Sequence, residues 1–179
     1  QGVATTAGIP MFRKNIADRD ATVVRNLNEA GAVILGKLQL TEGALATHHP
    51  ESTPPINPWK ANRWSGASSS GTGVAVAAGL AYGALGSDTG GSIRFPAFCN
   101  GLVGLKTTWS RVSRYGLFPL SATLDHVGPL NRTVEDAAAM LGAIAGYDNN
   151  DPTSAPGEAP NYLAAVNRGV KGLRIGIDR

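Results

Sequence analysis

Glycine is concentrated in two short segments rich in serine and threonine, and these segments limit what the chain can fold into. The 179 residues include 23 glycines, about 13% where roughly 7% is usual. They cluster between residues 66 and 104 without a collagen-like period, and the two segments are residues 66–73 and 86–96. We predict one helix (72–80) and one strand (82–85) between the two segments, a connection that returns the chain to its starting edge. The two loops can therefore face each other.

Apolar periodicity along the chain predicts alternating helices and strands. Such alternation is typical of an α/β protein with a mixed, largely parallel sheet flanked by helices. The length fits one domain or a piece of a larger one. The first predicted helix begins at Asp18 or Asp20 and runs to residue 30. The other predicted helices are 39–46, 72–80, a short helix that begins at Ser92, 133–145 and 161–167. The predicted strands are 32–35, 82–85, 102–105 and 173–177.

Composition argues against several classes of function. Sixteen Lys and Arg against thirteen Asp and Glu give a net charge of +3, and because the basic residues are scattered, nucleic-acid binding is not indicated. The single cysteine, Cys99, excludes an intrachain disulfide and a multi-cysteine zinc site. It fits a reducing compartment, so we expect a cytoplasmic protein. No His, Asp and Glu grouping has metal-ligand spacing.

Two further features concern the extent of the chain. The longest weakly apolar run, residues 74–86, is too short for a bilayer, which needs roughly 20 residues. The chain begins at Gln1 rather than at a methionine and ends directly after the apolar run 173–177. We therefore expect residues 1–179 to be part of one domain of a longer protein.

The sequence Thr89-Gly90-Gly91-Ser92 carries the clearest chemical signal. Two consecutive glycines let successive backbone N–H groups point at one spot, and a helix opening at Ser92 adds positive potential there. An oxyanion hole beside a nucleophilic serine needs this geometry. A serine also needs a base to take its proton, and the Ser68 hydroxyl could relay it.

Several other interpretations of these residues fit less well. A Gly-Gly-Ser sequence alone usually marks a turn. The dinucleotide pattern fails because residue 76 is Val. A P-loop at Lys106-Thr107 fails because Leu105 rather than glycine precedes the lysine, and no serine lies in Gly-x-Ser-x-Gly. For a Ser–His–Asp triad, His126 is more simply structural, while His48 and His49 lie in a proline-rich loop and are expected at the surface.

These motifs together resemble the amidase-signature family. The resemblance covers most of residues 2–146, with a signature core at about 62–146, and a match this long is highly specific. The similar motifs include 5–8 (TTAG), 30–37 (AGAVILGK), 66–71 (GASSSG), 86–97 (GSDTGGSIRFPA), 101–106 (GLVGLK), 111–116 (RVSRYG), 124–129 (LDHVGP) and 132–138 (RTVEDAA).

The resemblance implies the amidase-signature fold and a hydrolase for amide C–N bonds that uses a Ser–Ser–Lys triad and no cofactor. Ser92 matches the nucleophile, and Ser68 matches the bridging serine, whose preceding peptide bond is cis in the family. The N–H groups of Thr89, Gly90, Gly91 and Ser92 match the oxyanion hole. Polar positions of the signature that would support the loops are Ser69, Asp88 and Arg94.

The family's catalytic lysine precedes the TTAG motif, which here begins at Thr5. That position falls before Gln1, and none of the lysines present fits its motif. The resemblance thus implies that the base and the C-terminal half lie outside this chain, which should be nearly inactive alone. Ala67 and Ser70 stand where glycine is commoner in the family.

Three functions stay open from the sequence. The first is an amidase that converts a small or medium carboxamide to acid plus ammonia or amine, with a small-molecule substrate, no nucleic-acid partner and a possible homo-oligomer. The second is the glutaminase-like component of a tRNA-dependent amidotransferase, which supplies ammonia to a partner, although Phe95 after Arg94 slightly favours the first. The third is a non-catalytic homologue whose glycine loops only bind an anion.

Overall fold

The chain folds into helices around a small sheet in a computed structural model that describes residues 1–177. The α/β class is therefore confirmed. The helices are α1 (Thr22–Glu29), α2 (Ser70–Ala77), α3 (Arg94–Asn100) and α4 (Val134–Ile144); the strands are β1 (Gly83–Asp88), β2 (Val103–Gly104) and β3 (His126–Asn131). Short 3-10 helices cover Pro10–Phe12, Glu42–Ala44 and Leu163–Arg168. No described helix has the length and apolar character needed to cross a membrane.

The sheet has the order β1-β3-β2, and both pairings are antiparallel. The expectation of a largely parallel sheet is therefore wrong for the described residues. β1 and β2 do run in the same direction, as their connection through α3 predicts. β3 lies between them in the opposite direction because the irregular connection after β2 lets the chain reverse. The end of β1 pairs with the start of β3, where Asp88 lies opposite His126.

Two other predicted strands are also wrong. Residues 32–35 and 173–177 are irregular, and their apolar side chains are exposed, since no described strand lies beside them. Ile177 directly precedes residues 178–179, which the structure does not describe. The predicted helices at 39–46 and 161–167 are shorter 3-10 turns.

The best predicted element is α4. The side chain of Thr133 accepts a hydrogen bond from the backbone N–H of Asp136 at 3.0 Å, as the capping pattern in the sequence indicates. By contrast α1 begins after Ala21, which provides no side-chain cap, rather than at Asp18 or Asp20.

The core lies on both faces of β3, whose six residues are all buried. One cluster joins β3 to α1 and α4, and the other packs α3 against the sheet. Since the side chains of a strand alternate between its faces, β3 contributes to both clusters and fixes the end of β1 relative to the start of α3. The first cluster contains Val23, Val112, Val127, Leu141 and Ile144, and the second contains Ile93, Ala97 and Leu130.

Candidate active site

The two glycine-containing segments meet at the ends of three elements. The first leads into α2, and the second connects the end of β1 to α3. The backbone N–H of Ser69 donates to the carbonyl oxygen of Ser92 at 3.3 Å. The Ser69 hydroxyl is also 3.3 Å from both the N–H and the carbonyl oxygen of Ser87. The predicted proximity of the two loops is therefore confirmed, and Ser69 connects them.

A glycine allows this close approach. Gly66 has φ +80°, and a Cβ there would lie 2.5 Å from Cα of Pro96 in α3. Such a distance is far inside van der Waals contact, so any side chain at residue 66 would separate the first loop from α3.

Ser68 directly precedes Ser69, the residue that contacts the second loop. The Ala67–Ser68 peptide bond is cis, as the resemblance implies. The Ser68 side chain is fully buried, and its Oγ has no hydrogen-bond partner among the described residues. Most buried hydroxyl groups do have a partner, so this oxygen requires an explanation. Ser92 is half-buried.

Asp88 anchors the turn that follows β1. Its fully buried carboxylate accepts backbone N–H bonds from Gly91 at 2.8 Å, Ile93 at 3.1 Å and Arg94 at 3.3 Å. The Arg94 guanidinium adds two bonds, from Nε at 3.0 Å and Nη2 at 2.9 Å. Asp88 thereby holds the turn and the start of α3 against the end of β1.

These contacts also determine the charge of Asp88. Burial alone would raise the pKa of its carboxyl group, but the Arg94 side chain and the three backbone N–H groups outweigh burial and lower the pKa below the usual 3.8. The carboxylate is therefore ionised at neutral pH.

The same contacts reduce the number of backbone N–H groups that are available to an oxyanion. The Gly91 N–H donates to Asp88, so it no longer belongs to the four N–H groups predicted to form the oxyanion hole. The N–H groups of Thr89, Gly90 and Ser92 have no hydrogen-bond acceptor among the described residues. Gly91 has φ +132°, and a Cβ there would lie 2.4 Å from Cε2 of Phe95, whereas a Cβ at Gly90 would meet no described atom within 4 Å.

Sequence reasoning missed the role of Asp125. Its Oδ1 accepts a bond from the Thr89 hydroxyl at 2.5 Å, so it fixes a residue of the turn. The signal was present, because Asp125 lies in the motif LDHVGP (124–129), one of the segments that carry the family resemblance.

The expectation that His48 and His49 lie at the surface is wrong, because both are half-buried. His48 Nε2 lies 3.0 Å from the Ser70 hydroxyl beside the first loop. Burial lowers the pKa of its imidazole.

Two lysine side chains have hydrogen-bond partners other than Ser68 and Ser92. The ammonium of Lys37 contacts the Thr5 hydroxyl, and Lys106 Nζ lies 3.1 Å from His126 Nε2. Among residues 1–177 there is no cluster of three or more His, Cys, Asp and Glu side chains able to hold a metal ion.

Comparison with known proteins agrees with this geometry. The family model described as Amidase matches residues 1–179. "Putative amidase AmiD" of Mycobacterium tuberculosis is 51% identical over 174 residues, which are 97% of this chain and 36% of that protein. The glutamyl-tRNA(Gln) amidotransferase A-type subunit of Moorella thermoacetica is 51% identical over 181 residues, 100% of this chain and 37% of that protein.

Solved structures extend the similarity to the fold. The peptide amidase of Stenotrophomonas maltophilia superposes with a TM-score of 0.82 and 44% identity, covering 90% of this chain and 35% of that one. The chain thus spans little more than a third of the length of the relatives it matches.

Proposed function

Because the chain belongs to the amidase family, we propose that the full-length protein hydrolyses the C–N bond of a carboxamide through an acyl-enzyme on Ser92. The observation that carries this proposal is the fully buried, unpartnered Ser68 hydroxyl beside the turn that contains Ser92. A buried hydroxyl without a bond is costly. We infer that the Ser68 hydroxyl relays a proton to a base outside these 179 residues, which accounts for its lack of a partner here.

In the first half of the reaction, Ser92 Oγ attacks the carbonyl carbon of the amide. Its proton passes through the Ser68 hydroxyl to a general base. The negative charge that develops on the carbonyl oxygen is stabilised by the N–H groups of Thr89, Gly90 and Ser92. The tetrahedral intermediate then collapses, the C–N bond breaks, and the leaving nitrogen takes the proton and departs as ammonia or an amine.

In the second half, water attacks the ester between the acyl group and Ser92. The base takes a proton from that water through Ser68 and returns it to Ser92 Oγ as the ester breaks, which releases the acid. We assign the base to the lysine that the resemblance implies before the TTAG motif, because none of the five lysines of this chain fits its motif. Two of these, Lys37 and Lys106, also have other hydrogen-bond partners.

The supporting residues hold this machinery in place. Asp88 and Arg94 fix the turn, and Ser69 keeps the two loops in contact. A small-molecule amide is the proposed partner, and the proposal needs neither nucleic acid nor a cofactor. A cytoplasmic location and a homo-oligomer remain predictions, testable by cell fractionation and by light scattering.

Serine variants of the full-length protein test the proposal. Ser92→Ala should abolish both turnover and labelling by a fluorophosphonate probe. Ser68→Ala should lower kcat by about 10²–10⁴-fold, the usual size of acid–base assistance. Ser52→Ala is the matched control and should change nothing, because among residues 1–177 Ser52 donates only its backbone N–H, to the carbonyl oxygen of His49. Labelling that persists in Ser92→Ala would refute the assignment.

A second candidate function has support from the comparisons. The Moorella amidotransferase protein matches the whole chain at 51% identity. On this alternative the same Ser92 chemistry would release ammonia from glutamine for a partner protein. Glutamine hydrolysis that requires an added partner would favour it, while turnover of a simple carboxamide by the protein alone favours the amidase. A protein without turnover on either substrate would instead be a non-catalytic homologue.

A further inference from the structure

Two consecutive residues at the start of β3 brace the two residues that precede the glycine pair. Asp125 Oδ1 accepts the bond from the Thr89 hydroxyl at 2.5 Å. Its Oδ2 accepts two backbone N–H bonds, from Leu120 and Ser121, both at 2.9 Å. Asp125 thus ties the Thr89 side chain to a neighbouring loop.

His126 braces the residue before Thr89 through the backbone. The buried imidazole places Nδ1 at 3.2 Å from the carbonyl oxygen of Asp88 and at 2.6 Å from that of Leu124. Carbonyl oxygens only accept hydrogen bonds, so Nδ1 must carry the proton.

Lys106 determines the other imidazole nitrogen. Its Nζ lies 3.1 Å from His126 Nε2. An ammonium has donors only, so this contact is a hydrogen bond only if Nε2 keeps its lone pair. The contacts on both nitrogens therefore select one neutral tautomer, protonated at Nδ1.

The rigidity of the peptide bond links this tautomer to the candidate active site. The Asp88 carbonyl and the Thr89 N–H belong to one planar trans unit and point in opposite directions. When His126 fixes the carbonyl on one side, it fixes the direction of the Thr89 N–H on the other. That N–H is one of the three proposed oxyanion donors.

We propose that Asp125 and His126 are positioning residues for the oxyanion-binding turn, and that Lys106 maintains the His126 tautomer that does so. The inference rests on the proposed function, since it concerns the direction of a donor in that reaction. None of the three residues needs to touch the substrate. Their effect is on the alignment of the Thr89 N–H with the developing oxyanion.

His126 variants of the full-length enzyme test the donor. His126→Leu removes it, and His126→Asn keeps an N–H near the position of Nδ1. We expect His126→Leu to lower kcat by about 10- to 100-fold, as a misaligned donor should, with KM within about threefold. His126→Asn should recover most of kcat. A folded His126→Leu with wild-type kcat, or an equal loss in both variants, would overturn the proposal.

Lys106 supplies a second test that leaves the His126 side chain itself in place, and the Lys106 side chain is half-buried. Lys106→Gln can still donate to Nε2 and Lys106→Met cannot. We expect kcat to fall about threefold or more only in Lys106→Met; equal, wild-type values in both would refute the role of Lys106. Ser92→Ala distinguishes failure of the proposed function from failure of this inference. Turnover that survives Ser92→Ala rejects the proposed function. Turnover that is lost in Ser92→Ala but unaffected in the His126 and Lys106 variants rejects only the positioning role.

Discussion

Asp88→Asn is the substitution whose outcome depends most directly on the described geometry. The change keeps the size of the side chain and removes its charge. Oδ1 of Asp88 accepts from the Gly91 N–H and from Arg94 Nη2, while Oδ2 accepts from the backbone N–H groups of Ile93 and Arg94 and from Arg94 Nε. An amide offers one acceptor oxygen, so its NH₂ group must face at least one of these buried donors.

The size of the loss follows from this count. A buried donor left without a partner costs about 1–3 kcal/mol. The Arg94 side chain is 53% exposed, so water screens its charge pair and the loss of that pair adds less than about 1 kcal/mol. We expect the free energy of unfolding to fall by about 2–3 kcal/mol.

Urea unfolding of the full-length protein, followed by tryptophan fluorescence, measures this change. Asp18→Asn is the matched control, because Asp18 also bonds an arginine, Arg19, but is exposed, and its unfolding midpoint should not move. A change below about 0.5 kcal/mol for Asp88→Asn, the size typical of surface substitutions, would refute the anchoring role of Asp88.

Two further predictions concern stability. Burial alone would raise the pKa of Asp148, but bonds from Ser113, Thr22 and Asn150 outweigh it and lower the pKa to about 2. Because the folded pKa lies below the unfolded value, the stabilisation by the Asp148 carboxylate is present above about pH 4 and is lost as pH falls toward 2. Asp148→Asn should therefore lack this loss, about 2 kcal/mol in the free energy of unfolding. An acid-unfolding curve identical to that of the wild type would contradict this prediction. Gly91→Ala should lower the melting temperature, because its Cβ would meet the Phe95 ring. An unaltered melting temperature would show that the turn relaxes without cost.

The sequence was sufficient to predict that the two loops meet. A helix followed by a strand returns the chain to its starting edge, and the bond from Ser69 to Ser92 confirms that result. The anchoring role of Asp88 could not be derived in the same way. Its hydrogen bonds with Gly91 and Arg94 depend on the backbone conformation of the turn. The φ values of the glycines there determine that conformation, and the sequence does not specify them.

The errors in the sheet have a different origin. Apolar runs at 32–35 and 173–177 have strand-like composition, but a strand needs a partner to satisfy its backbone, and none of the described residues provides one. The direction of β3 depends on the irregular connection 105–125, whose sequence carries no periodicity that could reveal a reversal. Local patterns therefore predicted α4 better than they predicted the sheet.

The unequal surroundings of neighbouring glycines also determine how this site can change during evolution. A Cβ at residue 66 would meet the backbone of Pro96, so a side chain there must displace α3. At residue 91 a side chain must move the Phe95 ring, and the backbone φ of +132° is one that side-chain-bearing residues rarely adopt. Gly90 faces open space, and a methyl group there meets no described atom within 4 Å. A side chain can thus be introduced at residue 90 while the scaffold behind it stays intact.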